Sequence, residues 1–240
     1  MTIPADDVVV PDRVRAIAGN AEVVPVWHNE LGGLTFRAGA FFIKWGPRHK
    51  EASMADEAKR LAWAAHWTPV PEVRDHGETD DEEWLVTTAL EAESAVSRRW
   101  IAEPETAVRA IGSGLRALHE ALPVEECPFD WSVPSRILRA RERDIVLPAE
   151  LRDPPPVDRL VVCHGDACAP NTLVSDEGRW AAHVDFGSLG VADRWADIAV
   201  ASMSLEWNYG PGWEPTFYEA YGVDPDPDRV SYYRALWNAT

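Results

Sequence analysis

A carboxylate and a carboxamide stand five residues apart, just where an apolar run ends. Val161, Val162 and Cys163 lead into His164, Gly165 and Asp166, and Asn171 follows before a second apolar pair. Fourteen residues past Asn171 comes another carboxylate, Asp185, with Phe186 and Gly187 behind it. Far upstream, Lys44 interrupts the apolar stretch "FFIKW", and Glu57 lies on the segment after it. A lysine in an apolar strand is costly unless its ammonium finds a partner, which Glu57 can supply. An aspartate able to take a proton from a hydroxyl, an amide and a carboxylate suited to magnesium, and a lysine suited to phosphate oxygens describe one chemistry. It is metal-assisted phosphoryl transfer.

The spacing supports this reading. His164 to Asn171 has the pattern H-G-D-x-x-x-x-N, against the H-R-D-x-x-x-x-N of the protein-kinase catalytic loop. There the Asp orients or deprotonates the attacking hydroxyl and the Asn holds magnesium. An Asp just after a strand and an Asn returning from the far side of a tight loop point into one cleft. Taken alone, each group has a plainer explanation: a polar turn, a loop cap, a snorkelling lysine, a surface glutamate. Their common order and matching local settings favour the joint reading.

These groups need elements to hold them. "AEVVPVWHN", "LTFRAGAFFIKW" and "EEWLVTTAL" read as strands, with turn signals at "NELGG" and "AG". "SMADEAKRLAWAAHW" reads as a helix capped by Ser53, with Asp56 in its first turn. Beyond Glu91 the pattern changes. Val108, Ile111, Leu115, Leu118 and Leu122 fall on one helix face, and Pro104 suits a first turn. "RLVVC" and "RWAAHVD" read as short strands, "ADRWADIAVASMSL" and "RVSYYRALW" as helices, and "LPAELRDPPPVD" as irregular. The expected fold class is α+β, in two lobes. Residues 1–90 form a small β-rich nucleotide-binding lobe and residues 91–240 a larger, mostly helical catalytic and acceptor-binding lobe. The chain crosses between them near Thr88 to Ala92.

The net charge of −17 repels nucleic acid and anionic membrane and attracts cations, which also serves solubility. Neither class of macromolecule is an expected partner. Cys127, Cys163 and Cys168 make an odd count with no CxxC, which argues against a disulfide framework or a zinc knuckle. No secretory signal is read in Met1 to Asn20 and no bilayer-spanning run along the chain, so a cytoplasmic monomer is expected.

The motifs "CHGDACAPN", "VDFGSLGVADRWADIA" and "ADEAKRLAW", with "ALHEALPVEECPFD" and the closing "YYRAL", closely resemble those of the aminoglycoside phosphotransferases. The 3'-phosphotransferases are the nearest in pattern. The resemblance implies a protein-kinase-like fold with ATP and Mg2+ as cofactors. It makes Asp166 the catalytic base and Asn171 and Asp185 the magnesium ligands, with Lys44 and Glu57 the nucleotide-side ion pair. Gly32 and Gly33, in "NELGGLTF", would cover the phosphates, and the crossing residues Thr88, Ala89 and Leu90 would meet the nucleotide. His164 and Asp197 would support the catalytic loop. Gly165 replaces the arginine that senses activation-loop phosphate in protein kinases, which implies a constitutive small-molecule kinase.

The acceptor side departs from the pattern. Kanamycin-modifying members end in Asp-Glu-aromatic-Phe, whereas here the end is Trp237, Asn238, Ala239 and Thr240. Ser188 stands where an arginine is frequent, and Ala169 where some members place an acid. The lid segment from Asp130 to His164 is short, and offers Glu142 and Asp144 among its acids. Glu142, Asp144, Trp237 and Asn238 are the acceptor-side candidates. The stretch "EWNYGPGWEPTFYEAY" is read first as a packing cluster, with an acceptor wall as the alternative. The expected activity is ATP- and Mg2+-dependent O-phosphorylation of a small cationic molecule of aminoglycoside type. The alternatives are a kinase for another small alcohol (a macrolide, a peptide antibiotic or a metabolite) and a nucleotide-binding pseudoenzyme.

Overall fold

Alternation of apolar and polar residues gives the first unit its sheet. The computed structural model describes residues 8–29, 32–48 and 53–240. The chain divides into two compact units, one of Met1–His66 and Val70–Glu91, the other of Trp67–Pro69 and Ala92–Thr240. In the first, α1 (Asp12–Ala18) precedes β1 (Val23–His28), β2 (Leu34–Ala38) and β3 (Phe41–Pro47), followed by α2 (Met54–Ala64), β4 (Val73–Glu78) and β5 (Glu82–Thr88). The five strands pair antiparallel in the order β1-β2-β3-β5-β4. Phe36, Ile43 and Val86 are direct cross-strand neighbours and build one core face with Val14 of α1. Because side chains alternate along a strand, Lys44 falls on the other face, paired between Thr35 and Leu85.

The second unit contains β6 (Glu93–Ser94), α3 (Arg98–Ala102), α4 (Pro104–Ala121), α5 (Val133–Glu142), β7 (Leu160–Cys163), β8 (Thr172–Val174), β9 (Trp180–His183), β10 (Gly190–Asp193), α6 (Trp195–Tyr209), α7 (Glu214–Tyr221) and α8 (Pro227–Ala239). Small sheets of order β10-β7 and β6-β8-β9 sit among the helices. The apolar face read on α4 is its buried face: Val108, Ile111, Leu115 and Leu118 are all buried. α6 is buried without interruption from Trp195 to Leu205, so it is a central helix rather than an amphipathic surface one. The architecture is α+β. No helix among the described residues is long and apolar enough to cross a membrane.

Candidate active site

The loop after β7 is shaped by one glycine and one buried carboxylate. Gly165 has φ +85°, and a Cβ there would stand 2.2 Å from the Ser188 carbonyl oxygen. Only glycine fits this turn. Asp197, fully buried in the first turn of α6, accepts the His164 N–H at 2.6 Å and the Gly165 N–H at 2.9 Å. His119 of α4 pairs with the same carboxylate through Nε2 at 2.9 Å, and its Nδ1 meets the Tyr221 hydroxyl at 2.8 Å. Burial alone would raise the Asp197 carboxyl. The hydrogen bond and charge of His119, together with the Gly165 N–H, outweigh burial and hold it below its ordinary value.

His164 carries the brace to the next strand. The Asp166 N–H donates to its Nδ1 at 3.3 Å, so the proton sits on Nε2, which donates to the Val184 carbonyl at 2.9 Å. Its ring meets Phe186 edge-on, with centroids 4.8 Å apart. The two halves of the motif set, His164–Asn171 and Asp185–Gly187, are thus joined through one imidazole. A backbone bond from Val184 N–H to the Asn171 carbonyl at 3.0 Å joins them again.

Asp166 and Asn171 meet as their spacing predicts. The short 3-10 turn Ala169–Asn171 brings the Asn171 amide back to the aspartate. Its Nδ2 donates to the Asp166 carbonyl at 2.9 Å and to Asp166 Oδ2 at 3.2 Å. The amide oxygen of Asn171 is then the atom left for a cation. Asp166 Oδ1 is buried and has no hydrogen-bond partner among the described residues. A buried acceptor left this way normally costs about 1–3 kcal/mol, which a ligand hydroxyl would relieve. Burial pushes the Asp166 carboxyl up and the charge of Asp185 adds to this, against the Cys168 thiol and the Asn171 amide. Asp185 is held at φ +66°, a conformation that costs a non-glycine residue roughly 1–3 kcal/mol and is concentrated at functional sites. An amide oxygen and a carboxylate are both oxygen donors of the kind that fits magnesium.

In the first unit, Lys44 Nζ bonds both Glu57 oxygens, at 2.7 and 2.9 Å. Ser53 caps α2 through the Asp56 N–H, as its position suggested. Gly33 donates to Asn29 Oδ1 at 2.6 Å, and its Cα lies 2.9 Å from where a Cβ on Gly46 would stand. Glu30 and Leu31 of the proposed phosphate loop lie outside the described residues. The Thr88 and Ala89 N–H groups are spent on the Glu72 and Ala40 carbonyls, so a nucleotide base meeting Thr88, Ala89 and Leu90 would not find those two donors.

The acceptor-side candidates are less closely gathered. Glu142 ends α5 and Asp144 follows at φ +57°, both exposed. Between Asp130 and His164 six arginines stand against six acids, Glu142 and Asp144 among them. Trp237 packs its ring against Trp207, and Asn238 is exposed. Phe217, Tyr218 and Tyr221 of the aromatic stretch are buried, as the packing reading expects. His119 and Ser204 were not singled out from sequence. His119 sits on the apolar face of α4 and reads there as core, while Ser204 Oγ accepts the Ala169 N–H at 2.9 Å. His119, Cys163 and Asp197 place ligand atoms within 4.8 Å of one another. Both His119 nitrogens are already paired and Cys163 donates to the Asp193 carbonyl, so the cluster is a brace rather than a metal centre.

Comparison with known proteins bears on all of this. Residues 34–233 match the model of the phosphotransferase enzyme family. An aminoglycoside 3'-phosphotransferase of Streptomyces fradiae is 38% identical over 229 residues, covering 81% of this chain and 84% of that protein. A streptomycin 3''-kinase of Streptomyces griseus is 33% identical over 241 residues, covering 86% and 88%. The solved structure of an aminoglycoside phosphotransferase of Streptomyces rimosus in complex with ADP and streptomycin superposes with a TM-score of 0.71. It is 27% identical, with 93% of this chain and 94% of that one covered.

Proposed function

Since the chain belongs to the phosphotransferase enzyme family, we propose that it moves the γ-phosphoryl group of ATP onto a hydroxyl of an aminoglycoside. The observation that carries this reading is the braced Asp166–Asn171 loop, with Asp166 Oδ1 buried and unpartnered among the described residues. Asp166 accepts the proton of the attacking hydroxyl and orients its oxygen. The Asn171 oxygen and Asp185 hold Mg2+, and Lys44, fixed by Glu57, meets phosphate oxygens. Bound there, magnesium would offset the charge on the phosphate oxygens. Asp197, His119 and His164 are buried and hold the loop in place. ATP supply and the net charge of −17 suit a cytoplasmic enzyme with a cationic acceptor. The relatives' names favour an aminoglycoside over a macrolide, a peptide antibiotic or a metabolite, and the full motif set speaks against a pseudoenzyme.

The test is ATP consumption by the purified protein with Mg2+, with and without a panel of aminoglycosides and unrelated alcohols. Acceptor-dependent turnover on at least one aminoglycoside is the expected result. Turnover on an unrelated alcohol alone would replace this reading with another small-alcohol kinase.

A further inference from the structure

The Asp197 brace does not end at His119. His119 Nε2 meets Asp197 Oδ2, the same oxygen that accepts the His164 N–H. Its Nδ1 meets the Tyr221 hydroxyl at 2.8 Å. An imidazole bonded at one nitrogen can still turn about that bond. Bonded at both, it has one orientation, and the partner of one nitrogen governs what the other can do. His119, Asp197 and Tyr221 are all buried, so water does not take the place of any of them. A tyrosine hydroxyl both donates and accepts, so it can serve Nδ1 with or without a proton there. The Cys163 Sγ lies within 4.8 Å of the His119 and Asp197 ligand atoms, but it donates to the Asp193 carbonyl and does not compete for the imidazole.

Helix packing sets where the hydroxyl stands. Tyr221 is the last residue of α7, and α7 lies close against α4. A Cβ on Gly112 would stand 2.8 Å from both the Phe217 carbonyl oxygen and the Ala220 Cβ, so the two helices approach at a point where α4 has no side chain. His119 follows about two turns along α4. There the Tyr221 ring meets the imidazole edge-on, with centroids 5.7 Å apart and planes at 75°. Hydrogen bonds thus run without a break from the end of α7, through His119 and Asp197, to the His164 and Gly165 N–H groups just before Asp166.

We propose that Tyr221 is a positioning residue for phosphoryl transfer: by fixing the His119 ring it holds Asp197, and through Asp197 the backbone that carries Asp166. This rests on the phosphotransfer reading above. Such a residue acts on the rate of transfer rather than on the binding of either substrate, and it acts only through His119. A tyrosine that merely filled space would do neither.

The experiment compares the wild type with Tyr221→Phe, His119→Gln and the double variant. Phe keeps the ring and removes the hydroxyl. Gln keeps an N–H for Asp197 and leaves no atom at the Nδ1 position. Each protein is given a melting curve, steady-state kinetics with ATP and Mg2+ on streptomycin and on kanamycin, and amide hydrogen exchange at His164 and Gly165. Tyr221→Phe should lower kcat about two- to tenfold, the loss one net hydrogen bond gives, and leave both KM values as in the wild type. The His164 and Gly165 amides should exchange faster by a similar factor of about two to ten. In the His119→Gln background the same change should add nothing, because the link it works through is already gone. An unchanged kcat in Tyr221→Phe overturns the proposal. An equal loss with and without His119 also overturns it, since the hydroxyl would then act by another route. A wild type inert towards every aminoglycoside overturns the phosphotransfer reading instead. The exchange comparison needs no turnover and still decides the link to the loop: equal rates in the wild type and Tyr221→Phe overturn it.

Discussion

Asp197 accepts the backbone N–H of His164 at 2.6 Å, across 33 residues of sequence, and so ties the start of α6 to the loop that carries Asp166. Three donors converge on this one buried carboxylate: two backbone N–H groups and His119. Asp197→Ala leaves all three without their acceptor. Breaking a buried charged network this way typically costs about 3–5 kcal/mol. The variant should melt well below the wild type and lose kcat even where it is folded. A Tm within a degree of the wild type would show that the loop does not depend on this brace.

The same carboxylate has a pH signature. Its folded pKa lies below the ordinary carboxylate value, so its stabilisation is present above about pH 4, the unfolded pKa. It is lost as pH falls through the depressed folded value. The Tm gap between the wild type and Asp197→Asn should therefore be widest near neutrality and narrow as pH is lowered. A gap that grows on acidification would contradict the assignment.

Asn171→Ala and Asp185→Asn should each raise the magnesium concentration that gives half-maximal rate at fixed ATP. Both remove an oxygen ligand or its charge from the proposed donor set. Asp185→Asn also keeps a residue type that tolerates positive φ, so the fold should survive and the titration remain readable. Unchanged midpoints in both variants would place the metal elsewhere.

Lys44→Ala should raise the ATP KM about ten- to hundredfold, the loss expected for a hydrogen bond to a charged group. Glu57→Gln weakens the hold on the ammonium, with its two bonds of 2.7 and 2.9 Å, and should have a smaller effect in the same direction. Initial rates against ATP at saturating acceptor decide this. An unchanged ATP KM in Lys44→Ala would remove the lysine from the nucleotide site.

Thr240→Val tests the end of α8. Arg136 is nearly fully buried, its Nε and Nη1 have no hydrogen-bond partner among the described residues, and burial takes its pKa down to about 10. Taking the Thr240 hydroxyl away should cost about 1–3 kcal/mol, read as a lower Tm. Removal of Trp237–Thr240 should then lower Tm and raise acceptor KM together, so the truncation alone cannot isolate the acceptor contact and point variants at Trp237 are the cleaner probe. A Thr240→Val protein as stable as the wild type would show that the buried guanidinium is satisfied some other way.

Much of the site is legible in the sequence because its parts are local. The Asp166–Asn171 spacing is closed by one 3-10 turn, and Lys44 and Glu57 lie on consecutive elements. The α4 face repeats over several turns, so its period stands out. What escapes is long-range or brief. β7 pairs with β10 through contacts that no local pattern encodes, and β8 has only three residues. β4, "VRDHGE", is polar enough to read as loop until β5 pairs with it. His119 is hidden on an apolar helix face because its partners, Asp197 and Tyr221, are distant in sequence. The acceptor side is legible least, since it depends on which exposed side chains α6 and α8 bring together.

The central claim is that Asp166 drives transfer to an aminoglycoside hydroxyl, and it is tested most directly by comparing wild type with Asp166→Ala on one acceptor. Both proteins are incubated with ATP, Mg2+ and streptomycin, and the phosphorylated acceptor is quantified by mass spectrometry while ATP binding is measured separately. The wild type should form the phosphorylated product. The variant should form it about 10²–10⁴-fold more slowly, the usual worth of a positioned base, while binding ATP nearly as well. A variant that keeps more than about a tenth of the wild-type rate, well outside that range, would contradict the account.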